Sequence, residues 1–184
     1  PKPAAQRRKP RKAYEATVTG RRQISPDLVR LNMNSPALVG KELEFTDHYI
    51  KLLFTPEDAD YTWPFDVAQI REQQPNEQQP ITRTYTLINL DPETGDFDVD
   101  FVTHGDSGLA APWARTVEVG ERFGFLGPGG AWGPTEDYEH FVLAGDETAA
   151  PAISAGLKHL PAGATATAYI EIEANDRKFD LPTR

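Results

Sequence analysis

Apolar and polar residues alternate with period two along six short stretches of the first 135 residues, and each predicts a strand. YEATVTGRRQIS (14–25) and DLVRLNMNS (27–35) are separated by Ser25-Pro26-Asp27, which predicts a hairpin. HYIKLLF (48–54) is apolar enough for a central strand. ITRTYTLINL (81–90) and DFDVDFVTH (96–104) flank DPETG, a hairpin turn in which Gly95 supplies the positive φ. In DFDVDFV the pattern is sharpest: Phe97, Val99 and Phe101 fall on one face, and Asp96, Asp98 and Asp100 on the other. ERFGFLG (121–127) completes the set and is ended by GPGG (127–130).

Two stretches interrupt the strands. Residues 55–80 contain four prolines and a Gln-rich end, which predicts a long excursion with one short helix. GLAAPWARTV (108–117) spaces Leu109, Trp113 and Val117 as one helical face, with Pro112 tolerated if the helix starts near residue 111. Beyond residue 135 the pattern changes. HFVLAG (140–145) reads as a short apolar strand, DETAAPAISAGLKHL (146–160) as a helix and TATAYIEIEA (165–174) as another strand, together a β-α-β unit. The expected fold is an antiparallel six-stranded barrel over residues 13–135, with a tail at 1–12. The start of a parallel α/β nucleotide-binding domain follows over 136–184. One β-α-β unit cannot cover both faces of a parallel sheet, so that second domain reads as incomplete.

Composition changes this picture in few places. The 39% hydrophobic content, with three Trp, nine Phe and six Tyr, supports a packed core. No run of about 18 apolar residues occurs, which predicts no membrane-inserted helix. The basic N-terminus lacks the apolar segment of a secretory signal. Without cysteine the chain has no disulfide or thiolate chemistry, which fits a cytoplasmic location. The first 12 residues hold six basic and no acidic side chains, and the formal net charge is −9. Taking away that +6 leaves −15 for residues 13–184. An acidic body is a poor match for a nucleic acid backbone. The tail reads as a solubilising arm, with weak contact to an anionic surface as the other reading.

Four histidines (His48, His104, His140, His159) share no metal-ligand spacing, and no Gly-x-Ser-x-Gly is present, so neither a metal site nor a hydrolytic triad is expected. GPGGAWG (127–133) fails to complete Gly-x-Gly-x-x-Gly because Trp132 stands in the way, and reads as a turn. In GDETAAP (145–151), Thr148 and the amides after it would stand at a helix start that favours an anion, yet Asp146 and Glu147 would repel a phosphate. An ordinary strand-to-helix connection capped by Asp146 is the other reading. ITRTYT carries more chemistry. Arg83 and Tyr85 share one strand face, where a guanidinium can pair with phosphate while a ring packs on a planar ligand. Thr86 can hydrogen-bond a heterocycle edge; an exposed sheet face is the alternative.

The order of these motifs resembles the siderophore-interacting protein family, flavin-dependent ferric-siderophore reductases of the ferredoxin-NADP reductase-like superfamily. Arg-x-Tyr-Thr is followed by HGDSGLAAPWA, then GPGG, then LAGDETAAPAI, a likeness covering roughly residues 14–175. The resemblance implies that Arg83 pairs with the FAD pyrophosphate and Tyr85 packs on the flavin or its ribityl chain. Thr84 lies between them on the same cofactor strand, and Thr86 bonds the isoalloxazine edge. It further implies that Val102, His104 and Gly105 line the cofactor, and that backbone N–H groups at Ala110 and Ala111, with Trp113 nearby, hold the phosphates. Trp113 has core packing as its other reading. Asp146, Glu147 and Thr148 are implied to lie near the flavin and the nicotinamide.

The chain departs from the family where Ile88 replaces a frequent arginine and Ala111 a serine or glycine. The activity implied is reduction of a ferric siderophore by NAD(P)H through FAD. Iron is released because hard oxygen chelators hold Fe(II) less strongly than Fe(III). Other readings are a flavin- or ferredoxin-reductase-like electron carrier with another acceptor, and a flavin-binding accessory domain. The implied partners are NAD(P)H and the ferric siderophore.

Overall fold

The computed structural model describes residues 12–103, 108–173 and 181–182. Six strands form one sheet: β1 (Ala13–Ser25), β2 (Leu28–Asn34), β3 (Tyr49–Phe54), β4 (Ile81–Thr86), β5 (Asp96–Val102) and β6 (Arg122–Gly129). Their order is β4-β3-β6-β1-β2-β5, and every ladder is antiparallel. The two outer strands of that order meet again, because Ile88, just past β4, exchanges backbone hydrogen bonds with Asp98 of β5. The sheet therefore curls into a barrel and hides its edges.

The period-two pattern fills this barrel. Val18, Leu31, Met33, Ile50, Leu52, Phe97, Val99, Phe101 and Phe125 are all at most 1% exposed. On the outer face the aspartates of β5 stand opposite polar residues of β2. Arg30 holds Asp100 through two 2.7 Å bonds, Asn32 donates to Asp98 at 2.6 Å, and Asn34 donates to Asp96 at 2.7 Å. The hydrogen bond to Asp100 raises the Arg30 guanidinium above its ordinary value, against the opposing effect of burial. The run of aspartates is thus a satisfied cross-strand ladder.

Three expectations change in detail. The strand predicted over 81–90 ends at Thr86, because the chain leaves β3 there, turns at Asn89 with φ 54°, and crosses to β5. GPGG does not end its strand. β6 continues through Gly127 and Pro128 to Gly129, which pairs with Tyr49. Glycine suits this stretch because Gly127 has φ 122° and because a Cβ at Gly129 would stand 2.7 Å from the Tyr49 ring. The helix predicted over 146–160 is shorter, since residues 146–149 form a turn instead.

The 55–80 excursion holds one α-helix, α1 (Val67–Gln73), capped by the Asp66 carboxylate, and a single 3-10 turn at Asn76–Gln78. It is pinned to the barrel. Trp63 lies on Gly124, where any Cβ would collide with the indole, and its Nε1–H donates to Glu15 at 2.9 Å. A second helix, α2 (Ala110–Thr116), buries Ala110 and Ala114 in the main core. Then β7 (His140–Asp146), α3 (Ala150–Lys158) and β8 (Thr165–Glu171) make the predicted β-α-β unit, with β7 and β8 parallel. Phe141, Ile153, Leu157 and Leu160 join α3 to one face of this pair. Among the described residues the opposite face leaves Val142 and Tyr169 65% and 62% exposed. Of the basic tail only Lys12 lies within the described residues.

Candidate flavin-binding site

The pleat of β4 puts Arg83 and Tyr85 on one face and Thr84 and Thr86 on the other. Antiparallel pairing sets Ile50 opposite Tyr85 and Leu52 opposite Arg83, so the first face continues the barrel's apolar side. Tyr85 follows that rule: its half-buried ring lies 4.3 Å from Phe101. Arg83 does not. It is exposed, donates at 3.0 Å to the carbonyl of Thr82, and has no carboxylate partner among the described residues. Burial pushes the Tyr85 hydroxyl above the ordinary tyrosine value, and the Arg83 charge pulls it partly back. Cation and phenol therefore feel each other on one strand face.

Phe101 also meets Trp113 at 5.8 Å, so the rings of Tyr85, Phe101 and Trp113 link β4, β5 and α2. Trp113 stands edge-on to Phe54 and Phe123, at 5.7 and 5.3 Å, and its Nε1–H donates to Glu121 at 3.1 Å. Its ring is engaged in closing this end of the barrel, the packing role. Ala110 is buried and Ala111 half-buried at the start of α2, where Leu109 offers no side-chain cap. N–H groups of a first helical turn lack intrahelical acceptors and remain available to an anion. Val102 ends β5 opposite Leu28. His104 and Gly105 lie outside the described residues.

This donor set fits a flavin dinucleotide. A phosphate needs a cation with spare N–H groups, and Arg83 keeps most of its five donors free of protein acceptors. A planar ring system needs an aromatic neighbour held in place, and Phe101 fixes Tyr85.

Asp146, Glu147 and Thr148 behave differently. The Asp146 carboxylate accepts from the Thr148 hydroxyl at 2.6 Å and from the N–H groups of Thr148 and Ala149 at 2.9 and 3.1 Å. These bonds, the Thr148 hydroxyl first, hold it below the usual carboxylate value against the opposing effect of burial. Glu147 is buried and accepts the Glu173 N–H at 3.1 Å, tying the turn to the chain after β8. Among the described residues no hydrogen bond or ring contact joins these three to β4.

A cleft of about 740 Å³ brings the two regions together. Leu87, Ile88 and Asn89, directly after β4, line one side; Ala150, Pro151 and Ser154, directly after the 146–149 turn, line the other. Arg22, Arg30, Lys41 and Lys158 also line it, against Glu42 and Asp100. Because Asp100 neutralises Arg30, the others leave an excess of positive charge in a chain that is acidic overall. Sequence reasoning missed this cleft, since its cations are far apart in the chain. His48 belongs to it too, but as a fastener: Nε2 accepts the Phe45 N–H at 3.0 Å and Nδ1 donates to the Gly129 carbonyl at 3.2 Å. Among the described residues no group of three or more His, Cys, Asp or Glu is placed to hold a metal, and no helix is long and apolar enough to cross a membrane.

Comparison with known proteins bears on the same residues. Residues 17–132 match the siderophore-interacting FAD-binding domain, and residues 138–184 match the siderophore-interacting protein domain. An uncharacterised protein of Mycobacterium tuberculosis is 34% identical over 177 residues, covering 94% of this chain and 62% of that protein. The ferric vibriobactin reductase of Vibrio cholerae is 28% identical over 161 residues, covering 88% of this chain and 59% of its own length. The chain thus spans about three fifths of these relatives. The solved siderophore-interacting protein SipS of Aeromonas hydrophila superposes with a TM-score of 0.76 at 29% identity, over 94% of this chain and 64% of that one. A ferredoxin-NADP+ reductase from Plasmodium falciparum, at 11% identity and TM-score 0.61, shares the fold over 92% of this chain and 65% of its own. With its barrel matched from β1 to the end of the glycine-rich stretch, the chain belongs to the siderophore-interacting protein family.

Proposed function

We propose that this chain is the flavin-binding part of an NAD(P)H-dependent ferric-siderophore reductase acting in the cytoplasm, with residues 13–135 as the FAD-binding unit and 136–184 as the opening of the NAD(P)H-binding unit. The observation that carries the reading is Arg83: an exposed guanidinium beside a half-buried tyrosine, within the stretch matched to a siderophore-interacting FAD-binding domain. The likeness to a ferric vibriobactin reductase supports the choice of acceptor. Bound FAD would take a hydride from NAD(P)H and deliver electrons one at a time to chelated Fe(III), the ferric siderophore being substrate.

The protein's part is binding and orientation. Arg83 holds the pyrophosphate, and the first turn of α2 at Ala110 and Ala111 adds backbone donors to it. Tyr85, steadied by Phe101, packs against the ring system or its ribityl chain, and Thr86 offers its hydroxyl and amide to the heterocycle edge. The cleft between the residues after β4 and the start of α3 gives an anionic nicotinamide dinucleotide a positively charged approach.

The test is NAD(P)H oxidation by the FAD-loaded chain with a ferric siderophore, Fe(II) being trapped by a coloured ferrous chelator. Siderophore-dependent Fe(II) formation that falls sharply in Arg83→Ala is expected. Equal rates with and without the siderophore would contradict the proposal.

A further inference from the structure

The stretch GPGGAW supplies none of the residues assigned above to the flavin, and the fold uses it as a strap. Its backbone is tied to the loop before β3 by six hydrogen bonds, one of them from the Thr46 hydroxyl to the Trp132 carbonyl at 3.4 Å. The N–H groups of Ala131 and Trp132 donate to the Asp47 carboxylate at 2.9 and 3.0 Å. The Trp132 carbonyl accepts from the N–H groups of Thr46 and Asp47 at 2.9 and 3.3 Å, and the Gly129 carbonyl accepts from His48 Nδ1 at 3.2 Å. The strap therefore moves with the barrel.

Its one large side chain reaches the other unit. Trp132 is 40% exposed, and its six-membered ring lies on α3 at Gly156. A Cβ on Gly156 would stand 3.1 Å from Cζ3 and 3.6 Å from Cη2 of that indole, with Leu143 Cδ1 of β7 at 3.8 Å. Gly156 has no positive φ, so the helix backbone does not require glycine there. Glycine inside a helix costs about 1 kcal/mol relative to alanine, and the close approach of the indole accounts for its presence. Thr46 and His48 at the strap's anchor, and Ser154 and Ala155 beside Gly156, line the same 740 Å³ cleft.

We propose that Trp132 is a positioning residue whose indole, seated at Gly156, fixes the distance between α3 and the barrel wall and so sets the size of ligand that the cleft admits. The inference rests on packing and does not depend on which cofactor β4 binds. It also explains the sequence: Trp132 interrupts the glycine pattern because the position serves α3 rather than a phosphate.

The chain has no cysteine, so an Arg22→Cys/Lys158→Cys pair, with one site on the barrel and one on α3, takes spin labels at those two positions alone. Pulsed electron resonance then reads the distance across the cleft in four backgrounds: parent, Trp132→Ala, Trp132→Phe and Gly156→Ala. The parent should give one narrow distribution. Trp132→Ala should broaden it, Gly156→Ala should shift it to longer distance, and Trp132→Phe should return most of the parent's shape, all with unchanged thermal melting. Distributions of Trp132→Ala and Gly156→Ala that superimpose on the parent's would overturn the proposal. So would broadening that appears only together with a lowered melting temperature, since that reports a loosened fold rather than a moved helix.

Discussion

The barrel and the β-α-β unit are built from the same apolar residues to different degrees of closure. In the barrel, every strand has two partners once Ile88 bridges to Asp98, and Phe97, Phe101 and Phe125 are sealed from water. In the β-α-β unit, β7 and β8 pair only with each other among the described residues, and only one face is covered by α3. A closed sheet fixes the backbone beneath an off-pattern side chain such as Arg83, because Leu52 opposite it on β3 is held in the core. The open pair has no such surplus, and its turn at 146–149 spends the Asp146 carboxylate on its own Thr148 and Ala149 and the Glu147 carboxylate on the Glu173 N–H. The exposed cation and its aromatic neighbour therefore stand on the closed sheet.

The largest expected effect tests that difference directly. Phe101→Ala removes the ring that touches both Tyr85 and Trp113, and should cost about 3–5 kcal/mol in denaturant unfolding. Leu157→Ala on α3 should fall near the low end of its class, about 2 kcal/mol, because its surroundings are less enclosed. The reverse order would break the comparison. Next comes binding: Arg83→Ala should weaken FAD by about 1.5–3 kcal/mol, as for a lost hydrogen bond to a charged group, while unfolding free energy stays within about 0.5 kcal/mol. Gly124→Ala follows. Its methyl group would displace the Trp63 indole, cost about 1–3 kcal/mol, and expose the 55–80 excursion to limited proteolysis.

Much of this was legible in the sequence. Alternation in DFDVDFV gave the buried face of β5, and Arg83 and Tyr85 were placed together by the pleat alone. What was not legible depended on contacts between distant residues. The end of β4 at Thr86 is set by the bridge to Asp98, and the passage of β6 through GPGG by Tyr49. Trp113 is occupied by three rings from three strands, which helical spacing cannot reveal. Glu147 reads as an acidic loop residue until Glu173 is seen to donate to it. The cleft needs Arg22, Lys41 and Lys158 to converge, and no local pattern announces that.

The smallest effect sharpens the other side of the comparison. The folded Asp146 carboxylate titrates below its unfolded value of about 3.9, so its contribution to stability is present above that pH and is lost as pH falls through the depressed value. The group is exposed, so the contribution is small. Asp146→Asn should flatten slightly the fall in melting temperature on acidification, and an unchanged slope would remove Asp146 from the turn's stability.

The central claim is that β4 is a cofactor strand, and an FAD titration of the flavin-stripped chain tests it most directly, followed by visible absorption and flavin fluorescence in parallel with Arg83→Ala. The account predicts a saturable perturbation of the flavin spectrum with one FAD per chain, and about 10- to 150-fold weaker binding in the variant at unchanged stability. Equal affinity in both proteins, or no perturbation in either, would contradict it.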